Sequence, residues 1–268
     1  MNDKFFISII TVAYNSAATI GRTLESLRQQ TDKSFESIVI DGGSKDATME
    51  IVKSFSDVVS KSISEPDKGI YDAMNKGIAL AEGKYVAFLN SDDAYFPDTV
   101  ASVIAFAEEQ NPDIIYGNMQ KERQLGKELF TRIEKPNLQK MPETMGVFHP
   151  ATFAKKELFE RLGGYDLRFR LAADYHWFLR AYIEKADFRY LDKVLVKFSV
   201  GGVSNFSCES YREGIIIQEE LNTGYADKMR VLYEKCRRKR IKQQIIAKFV
   251  RLPIIKRLYL KKLKKRWN

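Results

Sequence analysis

The sequence predicts an α/β fold, Rossmann-like, with a mostly parallel central sheet covered by helices on both faces and a basic helical tail at the end. Three observations carry that expectation. Short apolar, β-branched runs alternate with segments whose apolar positions recur three and four apart. Polar, turn-forming residues collect where the runs end. A stretch of Lys and Arg with one acid then sets the last residues apart from the rest.

In chain order, strands are expected at Phe5 to Val12, Glu36 to Ile40, Val58 to Ile63 and Lys84 to Leu89. Helices are expected between and after them, at Ala17 to Gln30, Asp46 to Phe55, Ile70 to Ala81 and Thr99 to Glu109. Such a β-α-β-α series builds a parallel sheet with ligands beyond the carboxyl ends of its strands. After Pro112 the pattern loosens. Asp113 to Gly117, Leu129 to Ile133 and Phe188 to Phe198 read as strands of a mixed extension, with helices at Lys156 to Leu162 and Tyr175 to Glu184. There is no internal repeat and no Pro-rich boundary, so the simplest division is one unit over residues 1–227 and an appendage over 228–268.

With 268 residues and 44% hydrophobic content, the chain can bury a substantial core. Its two cysteines, Cys208 and Cys236, lack the spacing of a disulfide framework or a zinc site, which favours a reducing cytoplasm. The apolar stretch near the start is too short for a signal sequence and far below the roughly 20 residues that span a bilayer. The formal charge of +9 hides an asymmetry. Residues 228–268 hold 17 Lys and Arg against the single acid Glu234, leaving 27 bases and 34 acids in the body. An anionic partner is therefore expected for the tail alone.

Chemistry is expected just after each strand. The first run closes on Thr11, Ala13, Tyr14 and Asn15, and the second on Asp41, Gly42, Gly43 and Ser44. The glycines let backbone approach a ligand; Asp41 either accepts hydrogen bonds from a base or ribose or belongs to a plain turn. No GxGxxG or Walker A sequence is present, so dinucleotide and P-loop chemistry lose support. After the third strand, Glu65 to Lys76 crowds polar groups at a helix start, with Asp67 as a cap candidate. The fourth strand runs into Asn90, Ser91, Asp92 and Asp93. Two adjacent carboxylates in a cleft repel, and a divalent cation between them and a diphosphate relieves the repulsion. The alternative is a polar turn that caps the next helix. Asp174, between an apolar approach and aromatic residues, is a candidate general base or else a helix cap. His149 is either a packed histidine or a metal or phosphate contact.

Together these segments resemble the family 2 glycosyltransferases over roughly residues 5 to 205. The blocks are SIITVAYNSAATIGRTLESLRQQT, IVIDGGSKDAT, SEPDKGIYDAMNKGIALAEGKYVAFLNSDD and GGYDLRFRLAADYHWFLR, in that order. The resemblance implies a GT-A fold, with residues 1–118 as the nucleotide-sugar half and 119–227 as the acceptor half. It implies an enzyme that transfers a hexosyl or N-acetylhexosaminyl group with inversion, from a nucleotide-sugar donor, most commonly of uridine diphosphate, to a glycan or lipid-linked acceptor. By it, Thr11, Ala13, Tyr14 and Asp41 line the nucleoside site, Asp93 binds Mg²⁺ or Mn²⁺, Asp92 contacts ribose or metal, and Asp174 is the catalytic base. Two departures stand out: Asn90 occupies the first acidic position of the usual Asp-x-Asp motif, and Ala173 replaces the frequent Glu before the base.

The tail interleaves Lys and Arg with Ile241, Ile245, Ile246, Phe249 and Val250 and ends in LKKLKKRWN. That pattern suits a helix pair, broken near Pro253, lying on an anionic membrane. A nucleic-acid arm fits it less well. The expected location is thus cytoplasmic, peripheral on the inner face of the cell membrane. The competing reading is a catalytically degenerate nucleotide-sugar or glycan-binding module. Against it, both Asp93 and Asp174 are present. A nucleotidyltransferase would show a Gly-rich, basic signature near the first strand, and Thr11 to Ser16 supplies none.

Overall fold

The computed structural model describes residues 5–125, 128–200 and 208–249. Four parallel strands form one side of the sheet: β1 (Ile7–Ala13), β2 (Phe35–Asp41), β3 (Lys61–Ser64) and β4 (Tyr85–Phe88). The other side is built from β5 (Ala94–Tyr95), β6 (Ile114–Leu125), β7 (Glu128–Glu134), β8 (Thr152–Lys155) and β9 (Phe188–Ser199). The order is β3-β2-β1-β4-β8-β6-β9-β5, with β7 paired to β6. β8 runs antiparallel to both β4 and β6, so the sheet is mixed beyond β4. The helices are α1 (Ile20–Arg28), α2 (Thr48–Ser54), α3 (Ile70–Leu80), α4 (Thr99–Gln110), α5 (Lys156–Leu162), α6 (Ala173–Ile183), α7 (Glu209–Glu220) and α8 (Ala226–Phe249).

Every residue of β1 and β2 is buried, as expected of parallel strands covered on both faces. Because side chains alternate along a strand, neighbours enter different layers. Ile10, Val12, Ile38, Ile40 and Phe88 join Met74, Phe159, Trp177 and Phe178 from α3, α5 and α6. Ile7, Ile9, Val39 and Ala87 join Leu24, Leu27, Val52 and Val103 from α1, α2 and α4. The expected helices on both faces are thus present. At the amino ends of the parallel strands lies a buried charge. The Glu36 carboxylate accepts from Ser8 Oγ and the Glu82 N–H at 2.6 Å each and faces Lys61 Nζ at 3.0 Å.

Several elements depart from expectation. β6 continues through Gln120, Lys121 and Glu122, whose polarity hides a strand that pairs with β7 on one edge and β9 on the other. β5 and β8 are too short to show periodicity. α7 pairs with α8, and Met229 packs over Gly214. The 227/228 division therefore falls inside the first turn of α8. Val250 and everything after it, including Pro253 and Trp267, lie outside the described residues.

The cysteine reading is corrected here: Cys208 and Cys236 form a disulfide, with Cα atoms 5.9 Å apart. Their separation of 28 residues concealed it, because only the turn between α7 and α8 brings the N-cap of α7 beside the middle of α8. The expectation of a reducing compartment rested on unpaired thiols and loses that support. Among the described residues, no helix is long and apolar enough to cross a membrane.

Candidate active site

The chain leaves β1 for β2 on one side of the sheet, while β4 lies on its other side. The strand order therefore reverses between β1 and β4, where open α/β sheets form their ligand crevice. Ser16 and Ser91, from the loops after those two strands, meet there through their hydroxyls at 2.9 Å. Tyr14 stands in solvent at 64% exposure, followed by Asn15 at φ +49°. The Asn15 N–H donates to Ser44 Oγ at 2.7 Å, and its side chain accepts from the Lys45 N–H at 2.9 Å. The β1 loop is thereby laced to the β2 loop, which fixes the base of the Tyr14 ring.

Thr11 sits just before the end of β1 and Asp41 at the end of β2. Both are fully buried. Asp41 accepts from the Gly43 and Ser44 N–H groups at 3.1 and 2.9 Å, from Ser64 Oγ at 2.6 Å and from Ser44 Oγ. A carboxylate so occupied closes the turn after β2 and stands at the mouth of the crevice. Thr11 Oγ1 is enclosed without a hydrogen-bond partner inside β1, and Ala13 contributes its carbonyl to the Gly42 N–H. Sequence reasoning passed over the role of Asp67. A Cβ on Gly42 would strike the Asp67 carboxylate and come to 3.4 Å from Tyr14 Cδ2. Glycine there lets the aromatic ring and the acid share one recess.

The acidic run divides sharply. Asp93 is fully buried; its oxygens accept from the Ser199 N–H at 3.0 Å and Asn90 Nδ2 at 3.3 Å. Burial, and next the charge of Asp92, push its carboxyl up to about 8. Asp92 is half-buried, and burial raises it too. Among the described residues only its carbonyl is engaged by a side chain, Ser199 Oγ at 2.6 Å. In the same loop Asn90 Oδ1 is enclosed and, among the described residues, without a hydrogen-bond partner. Among the described residues no cluster of three or more His, Cys, Asp or Glu forms a cage. A partly open carboxylate in the same loop as an unpaired amide oxygen nonetheless fits Mg²⁺ or Mn²⁺, hard cations that take one or two protein oxygens and complete their shell with phosphate and water.

Asp174 occupies the first turn of α6, where the helix dipole favours a negative charge. It is half-buried and lines a cleft of about 240 Å³ with Thr144, Met145, Tyr211 and Met229. Its Oδ1 accepts from Tyr71 Oη at 2.8 Å and from the Tyr175 N–H at 2.9 Å. The loop before it is held by Glu213 of α7, whose carboxylate accepts the N–H groups of Arg170, Leu171 and Ala172 at 2.8 to 2.9 Å. Asn75 of α3 clamps the backbone of Tyr165 with two hydrogen bonds of 2.8 Å. Two sequence blocks ninety residues apart thus become one surface. His149 is packed beneath it, stacked on Phe88 and sharing a 2.9 Å hydrogen bond with Tyr165 Oη, and burial lowers its basicity.

A crevice at the strand-order reversal, an exposed aromatic ring, an open carboxylate and a second carboxylate poised at a helix start define a group-transfer site on a nucleotide-binding fold. The family model "Glycosyl transferase family 2" matches residues 8–186, and the chain belongs to that family of glycosyltransferases. A PGL/p-HBAD biosynthesis glycosyltransferase of Mycobacterium bovis is 34% identical over 205 residues, covering 74% of this chain and 78% of that one. An uncharacterised glycosyltransferase of Mycobacterium tuberculosis is 36% identical over 181 residues, 65% of this chain and 68% of its own. Among solved structures, S. aureus TarS 1–349 in complex with UDP-GlcNAc superposes with a TM-score of 0.68 at 20% identity, covering 84% of this chain and 70% of that one. A Pyrobaculum calidifontis mannosyltransferase in complex with GDP-Man and Mn²⁺ gives 0.60 at 16% identity, with 94% and 82% covered. The GT-A expectation for the fold is met.

Proposed function

We propose that this glycosyltransferase inverts configuration, moving a hexosyl or N-acetylhexosaminyl group from a nucleoside diphosphate sugar, of uridine in the first instance, to a hydroxyl of a glycan or lipid-linked acceptor in surface-polysaccharide assembly. The observation that carries this reading is Asp174, with Oδ1 held by two donors while Oδ2 takes no hydrogen bond among the described residues. A carboxylate so arranged can take the proton of an attacking hydroxyl. The acceptor oxygen bonds to the anomeric carbon, the bond from that carbon to the diphosphate breaks, and the nucleoside diphosphate leaves with the electron pair.

Tyr14 offers its face to the base, and Asp67 is placed to meet the nucleoside beside it. Asp92, with Asn90 Oδ1, would hold the divalent cation; when bound, such an ion neutralises charge gathering on the departing diphosphate. This reading takes the metal alternative expected for Asp92 and gives Asp93, buried and hydrogen-bonded to the Ser199 N–H, the task of bracing the loop against the end of β9. The donor complexes of the two solved neighbours support the class of donor. The exposed basic face of α8, from Arg237 to Lys242, supports an anionic membrane as the place of work.

A panel of UDP-, GDP- and dTDP-sugars with Mn²⁺ or Mg²⁺ tests the proposal by thermal shift and by release of nucleoside diphosphate. One nucleotide class should stabilise the fold and turn over. D174N should bind that donor and turn it over at least about a hundredfold more slowly. Absence of any stabilising donor would sink the reading.

A further inference from the structure

We propose that Tyr71, in the first turn of α3, is a positioning residue that holds Asp174 in its reactive rotamer by donating its phenolic hydrogen to Oδ1. The inference rests on the reading of Asp174 as the base. Three features of the structure carry it. Tyr71 Oη lies 2.8 Å from Oδ1. The Tyr71 ring is 7% exposed and packs against Tyr165 at 5.3 Å between centroids, so its hydroxyl has a fixed address. The remaining donor to Oδ1 is the adjacent Tyr175 N–H, which moves with Asp174 and cannot anchor it to the rest of the molecule.

The consequence is a division of labour within one carboxylate. Oδ1 is committed to two donors; Oδ2 is left for the acceptor hydroxyl. A freely turning carboxyl would present either oxygen, and the proton would have to be taken from a distribution of geometries. The groups facing Asp174 are Tyr71 from α3, Tyr165 and His149 beneath it, Tyr175 on α6, and Tyr211 and Glu213 on α7. Of their side chains, only that of Tyr71 donates to it. Burial and the nearby carboxylate hold the Tyr71 phenol well above its ordinary range, so it remains a donor throughout the working pH. The contact also spans 103 residues, tying the helix that follows β3 to the helix that carries the base.

The test compares wild type, Y71F, D174N and the double variant in donor hydrolysis, in which water replaces the acceptor hydroxyl, using the nucleotide sugar that stabilises the wild-type chain in the panel above. Phenylalanine keeps the ring and its packing. Y71F should lower kcat about tenfold with donor KM within about twofold, since the hydrogen bond that fixes the carboxylate is lost. Because Tyr71 acts through Asp174, the double variant should be no slower than D174N alone. If Y71F turns over within about twofold of wild type while D174N is slowed at least about a hundredfold, the positioning role is wrong and the base stands. If Y71F slows D174N further by its full factor, Tyr71 acts on structure and the proposal is equally overturned. If D174N retains full activity, the base itself is misassigned and the proposal goes with it.

Discussion

Asp93 is a carboxylic acid enclosed beside another acid, and its surroundings make a pH prediction. Its folded value of about 8 lies above the unfolded one near 4. The folded state therefore holds the proton more tightly, and stability is full below about pH 4 and declines as pH rises toward about 8. In metal-free protein the D93N variant should remove that decline. Above pH 8 it should be the more stable chain, by on the order of a few kcal/mol, as read by urea unfolding in EDTA at pH 6 and pH 9. Equal stability of the two chains at both pH values would refute the assignment. Asp92 should behave differently: D92N should shift unfolding in the same direction as D93N but by less, and weaken Mn²⁺-dependent donor binding at least about tenfold by calorimetry. The acids, Tyr14 and Asp174 were legible because polar residues at strand and helix ends are conspicuous in one dimension. Which of them closes its own turn was not legible. Asp41 and Asp92 both follow a strand, but Asp41 meets Ser44 and Ser64 and is consumed by them. Tyr71 and Glu213 were missed for a plainer reason: each meets the loop of Asp174 from an element far away in the chain.

At the scale of elements, the helix of the basic tail was legible as α8, while α7 and the hairpin the two form were concealed. Its helices alternate polar and apolar residues weakly, and the segment before α7 offered no strand or motif to frame it. The hairpin walls the Asp174 cleft through Tyr211 and Met229 and reaches the loop before Asp174 through Glu213. Opening the disulfide by C208S should cost about 3.5 kcal/mol, the loop-closure estimate for a separation of 28 residues. Guanidinium unfolding with and without a dithiol reductant would measure it, and an unchanged midpoint would show that the bond adds nothing. The strands β1, β2 and β4 were readable because each is an apolar run between turn residues, whereas β3 (Lys61–Ser64) begins only after the apolar Val58 and Val59 that announced it. β6 was half-read, because Gln120 to Gln124 sit on its polar stretch and only their partners in β7 and β9 make them a strand.

Across the whole molecule, charge and core are segregated. The body is mildly acidic, and the bases gather on α8 and beyond. Cosedimentation with vesicles containing anionic lipid should therefore be strong at low salt and fall steeply with added NaCl, and reversal of Arg237, Arg238, Lys239 and Arg240 to Glu should abolish it. Binding to neutral vesicles alone would point instead to the apolar residues.

The interleaving of β1 has a consequence for how the molecule comes apart. Ile9 and Ile10 are neighbours in the chain, yet one belongs to the layer under α1 and α4 and the other to the layer under α3 and α6. Neither layer can melt while the other stays whole, since they share a single strand as their floor and ceiling. The nucleotide crevice and the Asp174 cleft should thus be lost in one cooperative transition, with calorimetric and van't Hoff enthalpies in agreement.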